Sequence, residues 1–289
     1  MSAHHYRSVL RPDLFSGQLV IVTGGGSGIG RCVAHELASL GAHVVITGRK
    51  AEKVARVQAE IAEDGGRCTT AVFDIRDEEA VKANVASIVA THGAIHGLVN
   101  NAGGQFPSAM STISKRGFDA VVSSNLTGGF LMMREVFTQS MESRGGAIVN
   151  MTAAYRNGMP GMAHSGAARA GMANLTMSAA VEWAGAGVRV NGVAPGWVAS
   201  SGMDQYGGAV KELIPMLSKH VPMRRLATEA EVSGAICFLL SPAASYITGV
   251  TLAIDGGMPL GSPIFPIADE ARGVPFDGFH RATLPDVLK

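Results

Sequence analysis

Three glycines, Gly24, Gly28 and Gly30, lie within the run Thr23-Gly24-Gly25-Gly26-Ser27-Gly28-Ile29-Gly30. A β-branched stretch, Leu19–Val22, precedes them, and a helical pattern follows to about Leu40. At such a strand–helix junction, glycines permit a tight turn and let the backbone approach a pyrophosphate, which then sits on the positive end of the helix. The next strand, His43–Ile46, leads into Thr47-Gly48-Arg49-Lys50. An NAD-preferring site places a carboxylate here, roughly 20 residues beyond the loop, to bind the ribose hydroxyls. This chain instead has Gly48 followed by two cations. Arg49 and Lys50 suit a 2′-phosphate, which Arg49 can hold through paired charge-assisted hydrogen bonds. The expected cofactor is NADP(H).

Holding these groups in place requires a regular scaffold, and the rest of the chain supplies its pattern. Further strands are expected near Thr69–Phe73, Gly97–Asn100, Ala147–Asn150, Val188–Val193 and Thr251–Ile254. Helices are expected near Ala51–Glu63, Glu78–Thr91, Lys115–Glu142, Ala163–Trp183 and Glu229–Leu240. Seven strands alternating with helices predict an α/β fold with a doubly wound parallel sheet. The 289 residues suffice for a full core, and the near-balance of 24 basic against 23 acidic residues argues against a nucleic-acid partner. Three scattered cysteines (Cys32, Cys68, Cys237) predict neither a disulfide framework nor a metal site, and they fit a reducing cytoplasm. No apolar run is long enough to span a membrane. Beyond residue 258, five prolines mark an irregular arm.

Further motifs follow in order: Asp74-Ile75, Asn100-Asn101-Ala102-Gly103, Asn125 within Ser124-Asn125-Leu126-Thr127-Gly128, Ile148-Val149-Asn150, and Pro195-Gly196. Together with the glycine loop, this series resembles the short-chain dehydrogenases/reductases over residues 17–258. The resemblance implies a single Rossmann-type domain with a seven-stranded parallel sheet, flanked by an N-terminal arm (1–16) and a C-terminal extension (259–289). It implies that Thr23, Gly24, Ser27, Gly28, Ile29 and Gly30 form the phosphate loop. Asp74 and Ile75 would contact the adenine, and Asn101, Ala102 and Gly103 would line the cleft. Pro195, Gly196 and Val198 would face the nicotinamide carboxamide, with Ser200 near the phosphates. A homotetramer is also implied.

The family's catalytic set is Asn, Ser, Tyr and Lys, with the last two four residues apart on one helix face. The resemblance puts Ser165 at the tyrosine position and Arg169 at the lysine position, while the usual serine falls at Thr152 or Ala153. Asn125 is intact. The segments His164–Gly171, Gly103–Phe106 and Phe238–Ser245 resemble the peroxisomal-type trans-2-enoyl-CoA reductases, and at greater distance the 2,4-dienoyl-CoA reductases. Some of these carry a Tyr-x-x-x-Lys pair further along the helix, where this chain has Ala173 and Met177. By this likeness the substrate is an acyl thioester with a conjugated carbon–carbon double bond. Arg169 can hydrogen-bond the nicotinamide ribose and supply a fixed positive charge, but it cannot relay a proton. Ser165 is the expected oxyanion donor, and Tyr155, in the loop after the fifth strand, the expected acid. His164 points away from the Ser165/Arg169 face. Reduction of a 3-oxoacyl or other carbonyl, and an idle NADP-binding protein, remain as alternatives. The segment Ser201–Val221, rich in Gly and Met, is expected to cover the substrate.

Overall fold

The computed structural model describes residues 5–260 and 267–289. Its β-branched runs form seven strands: β1 (Leu19–Thr23), β2 (His43–Gly48), β3 (Arg67–Val72), β4 (Gly97–Asn100), β5 (Gly146–Met151), β6 (Val188–Pro195) and β7 (Thr251–Ile254). They make one sheet in the order β3-β2-β1-β4-β5-β6-β7, with every pairing parallel. Side chains alternate across the sheet, so β1 feeds two cores. Val20 and Val22 pack with α1 (Gly28–Ser39), α2 (Ala51–Glu63) and the later helix Glu229–Leu240. Leu19 and Ile21 pack on the opposite face, with α3 (Glu78–His92) and the helices that follow β4 and β5. The chain reverses direction across the sheet between β1 and β4, which opens a crevice at their carboxyl ends. Ligands bind at such a switch point in open α/β sheets.

The stretch expected as one helix over Lys115–Glu142 is interrupted. It consists of α4 (Lys115–Val122), α5 (Gly128–Val136) and α6 (Glu142–Arg144), joined by π turns at Ser123–Thr127 and Phe137–Met141. Asn125 accounts for the first widening. Its side-chain Nδ2 donates to the Val121 carbonyl at 3.0 Å, the acceptor that its own backbone N–H would use in a regular helix. The third strand also starts earlier than expected, at Arg67. Then come α7 (Ala163–Trp183), α8 (Gly208–Leu213) and α9 (Glu229–Leu240). A capping box starts α9, with Thr228 and Glu231 each closing on the other's backbone N–H.

The irregular arm docks on the body. Phe279 is buried beside Tyr6, Cys32 and Ala230, and Arg7 N donates to Gly278 O at 2.9 Å. Arg281 pairs with Asp64 at 2.7 Å and Glu63 at 3.0 Å at the end of α2. Further on, the Val287 N–H donates to Asp204 Oδ1 at 3.2 Å, in the turn Ser201–Gln205. Among the described residues, no helix is long and apolar enough to cross a membrane, and no cluster of ligating side chains could hold a metal ion.

Candidate active site

The crevice is built around Thr23. Its hydroxyl accepts from the backbone N–H groups of Asn101 (3.0 Å) and Ala102 (2.9 Å), while Asn101 Nδ2 donates back to the Thr23 carbonyl at 2.9 Å. Thr23 and Asn101 thus clamp the ends of β1 and β4 together. The clamp leaves no room for side chains at Gly24 and Gly30. A Cβ on Gly24, whose φ is +67°, would meet Ala102 Cα at 2.9 Å, and one on Gly30 would run into the Asn101 amide. Gly28, at φ +56°, has open space in front of it apart from Glu229 Oε1 at 3.9 Å. The N-terminus of α1 behind it has no side-chain cap, Ser27 making no such bond. Uncapped N–H groups at the positive end of a helix, reached across glycines, fit a pyrophosphate.

At the adenosine end, Arg49 is 68% exposed and 4.0 Å from Asp74. Arg76 takes the Asp74 carboxylate in a fork with a closest approach of 2.6 Å, and this holds the Asp74 carboxyl below its ordinary pKa. Lys50 is exposed at the start of α2. Ile75 is buried and packs against Gly128, where a Cβ would approach it to 2.7 Å.

A cavity of about 650 Å³ extends from the crevice towards the turn Ser201–Gln205. Ile29, Asn101, Gly103, Pro195, Gly196, Val198 and Ser200 line it, and Ala102 does not. The outer end is apolar, with Phe106, Met159, Met162, Trp197, Met203 and Met258. Arg169 is the one charged residue on the wall among the described residues. Its Nη1 donates to Met151 O at 2.6 Å, and burial draws the pKa down to about 10, so the guanidinium stays charged at neutral pH. Its Nε is buried without a partner, and its Nη2 lies beside Gly103, where a Cβ would approach it to 3.0 Å.

Of the remaining sequence-derived candidates, Thr152 and Ala153 line the cavity, while Asn125, Tyr155, His164 and Ser165 do not. Asn125 is buried, and its side chain both accepts from the Gly104 N–H (3.1 Å) and donates to the Gly104 carbonyl (2.6 Å), which fixes the Gly103–Gly104 strip. Thr152, also buried, donates its hydroxyl to Val193 O at 2.8 Å, and Ala153 has no hydroxyl to offer. Ser165 is fully buried and donates to Gln105 Oε1 at 2.6 Å, so its hydroxyl is directed into this bond and not into the cavity. The structure does not bring Tyr155 to the cavity: its neighbours Ala153, Ala154 and Gly158 reach the wall, but its own side chain does not. His164 is buried edge-on to Phe106, with their ring centroids 4.5 Å apart.

Two residues given no role from sequence are on the wall. Gln105 joins Ser165 to Tyr206, its Nε2 donating to the Tyr206 hydroxyl at 3.0 Å. The signal available for Tyr206 was scarcity, because the chain has four tyrosines. Tyr6 is buried against Glu36 and Tyr246 is fully exposed, so neither faces the cavity.

The family model described as "Enoyl-(Acyl carrier protein) reductase" matches residues 24–259. The peroxisomal 2,4-dienoyl-CoA reductase of Danio rerio is 35% identical over 256 residues, covering 87% of this chain and 85% of that protein. Among solved structures, the citronellol catabolism dehydrogenase AtuB of Pseudomonas aeruginosa PAO1 is 58% identical. It superimposes with a TM-score of 0.80 over 88% of this chain and 99% of that one. A Beutenbergia cavernae chain described as an NAD(P)-dependent gluconate 5-dehydrogenase, solved with NADP at low occupancy, is 34% identical with a TM-score of 0.81, over 87% of this chain and 100% of that one. With the glycine cradle, the sheet order and these relatives in agreement, the chain belongs to the short-chain dehydrogenase/reductase family of nicotinamide-dependent oxidoreductases.

Proposed function

We propose that this protein uses NADP(H) to reduce the conjugated carbon–carbon double bond of an enoyl thioester, CoA-linked in the first instance. The observation that carries this reading is the cavity wall: a fixed guanidinium, Arg169, opposite a methionine-rich sleeve, with no Tyr-x-x-x-Lys pair on α7. The later positions where that pair could stand hold Ala173, which is buried, and Met177, which is half exposed. A reduced nicotinamide supplies a hydride when bound. Arg169, Pro195, Gly196 and Val198 would hold it, and Thr23, Gly24, Ser27, Gly28, Ile29 and Gly30 would frame its pyrophosphate. Arg49 and Lys50 would take the 2′-phosphate, Asp74 and Ile75 the adenine end, and Asn101, Ala102, Gly103 and Ser200 the cleft between. Conjugate reduction develops charge on the thioester oxygen, which fixed positive charge and hydrogen-bond donors stabilise. The sleeve suits a hydrocarbon chain, whereas a sugar acid would leave its hydroxyls facing methionine and phenylalanine.

The test follows NADPH oxidation with crotonyl-CoA and longer enoyl-CoA thioesters, and then with an acetoacetyl thioester. Turnover of the enoyl substrates alone is the expected result. Turnover of the ketone alone would make the protein a carbonyl reductase, and cofactor binding without turnover an idle one. The 58% identity to AtuB favours a second reading, in which the chain handled is a branched acyclic isoprenoid. Citronellol with NADP⁺ belongs in the same panel. A cytoplasmic homotetramer completes the proposal. Its support is the exposed apolar side chains of α4, α5 and α7 (Phe118, Phe130, Met177 and Val181) together with three unpaired cysteines. A monomeric mass by light scattering at micromolar concentration would count against it.

A further inference from the structure

We propose that Tyr206 is the proton donor of this site, held by Gln105 and, through it, by Ser165; the assignment rests on the enoyl thioester reading. Ser165, locked inside α7, donates to Gln105 Oε1 at 2.6 Å. That bond turns the amide so that Nε2 donates to the Tyr206 hydroxyl at 3.0 Å. The phenol oxygen therefore receives a hydrogen bond while its own hydrogen keeps no partner among the described residues, at the wall of the cavity that Arg169 also lines. Gln105 thus fixes the phenol oxygen from one side and leaves its hydrogen directed to the open side of the bond. No other tyrosine of the chain lines the cavity. The fixed charge on the wall is Arg169, and the charged groups nearest along the chain are Asp204, which accepts from the Val287 N–H, and Lys211 of α8.

In the step itself, hydride addition at the β-carbon leaves the former π-electron pair on the α-carbon and the thioester oxygen. The α-carbon then takes the Tyr206 proton, so one C–H bond forms as the O–H bond breaks. Gln105 holds the phenolate, and solvent, to which Tyr206 is partly exposed, returns the proton. Gln105 and Ser165 are positioning residues.

Three variants and two readouts test this. With an enoyl-CoA substrate, Tyr206→Phe should lower kcat about a hundredfold or more, with NADPH binding retained as the control for folding. Gln105→Leu should lower kcat about tenfold, and Ser165→Ala less, in both cases with KM little changed. The second readout is the affinity for NADPH, which all three variants should keep. Turnover by Tyr206→Phe within threefold of wild type would overturn the acid assignment, and turnover by Gln105→Leu within threefold of wild type, or a loss that appears in KM and not in kcat, would overturn the relay. If the wild-type protein binds NADPH but leaves enoyl thioesters untouched, the reading of the reaction fails, and the acid assignment with it.

Discussion

The two ends of the crevice are built differently. At the dinucleotide end the work is done by backbone: glycines at positive φ, a bare helix terminus and a threonine–asparagine clamp. At Gly24 and Gly30 the space that a Cβ would need is already filled, while at Gly28 the positive φ alone disfavours a side chain. At the other end the wall is made by side chains drawn from separate elements: Arg169 from α7, Gln105 from the loop after β4 and Tyr206 from the segment after β6. Such groups can change partners without disturbing the sheet. A fold of this kind can therefore keep its crevice while α7 carries Ser165 and Arg169 where the family resemblance implies Tyr and Lys.

If this contrast holds, the largest effect of substitution falls on the glycine cradle. Gly30→Ala should cost about 3 kcal/mol of stability through overpacking against Asn101 and Gly24. It should also weaken NADPH binding on the order of a hundredfold or more, measured by thermal melts and fluorescence titration. Next comes Arg169→Ala, which should cut turnover on the order of a hundredfold while the melt stays close to wild type, with partial recovery in Arg169→Lys. Arg49→Ala is smaller. Its guanidinium is mostly exposed, so a 2′-phosphate contact there is partly screened, and NADPH affinity should fall only about tenfold. NADH affinity should hardly move. Equal losses for the two cofactors would remove Arg49 from the 2′-phosphate site.

The smallest expected effect on binding concerns Glu229, beneath Gly28, where burial raises the carboxyl pKa to about 7. The folded state keeps this proton while the unfolded chain loses it near the ordinary carboxylate value. Native stability should therefore fall as pH rises between roughly 4.5 and 7, by about 3 kcal/mol in all. Ionised Glu229 would also repel a pyrophosphate, so NADPH affinity should weaken several-fold above pH 7. Glu229→Gln should flatten both profiles, which chemical denaturation and cofactor titration across that pH range would reveal.

Legibility in the sequence divides along the same line. The sheet, the helices and the cradle were readable because they rest on periodicity and on glycine spacing, which are local properties of the chain. Arg169 was singled out by the resemblance of its helix to the family's motif, and it lines the cavity. The π turn at Asn125 was not readable, since it depends on which carbonyl one side chain captures. Ser165 was located, but the direction of its hydroxyl depends on Gln105, sixty residues away. Tyr155 was favoured by its place next to β5, yet the turn that ends at Gly158 carries its side chain off the wall. Tyr206 reaches the site from a segment with no strong periodicity, positioned by contacts that are distant in sequence.

The arm that closes over the body ties the turn before Tyr206 to the far side of the molecule. Beside the buried Phe279, one attachment, Arg281 on Asp64 and Glu63, is ionic, and another, the Val287 N–H on Asp204, is a single hydrogen bond. Salt screens charges at the protein surface within about 8–10 Å at physiological ionic strength. Ionic strength therefore has a route to the cover over the cavity that bypasses substrate and cofactor alike: loosening the arm at α2 should slacken the turn next to Tyr206. In kinetic terms, turnover should then depend on the salt of the medium, and Arg281→Ala should remove that dependence.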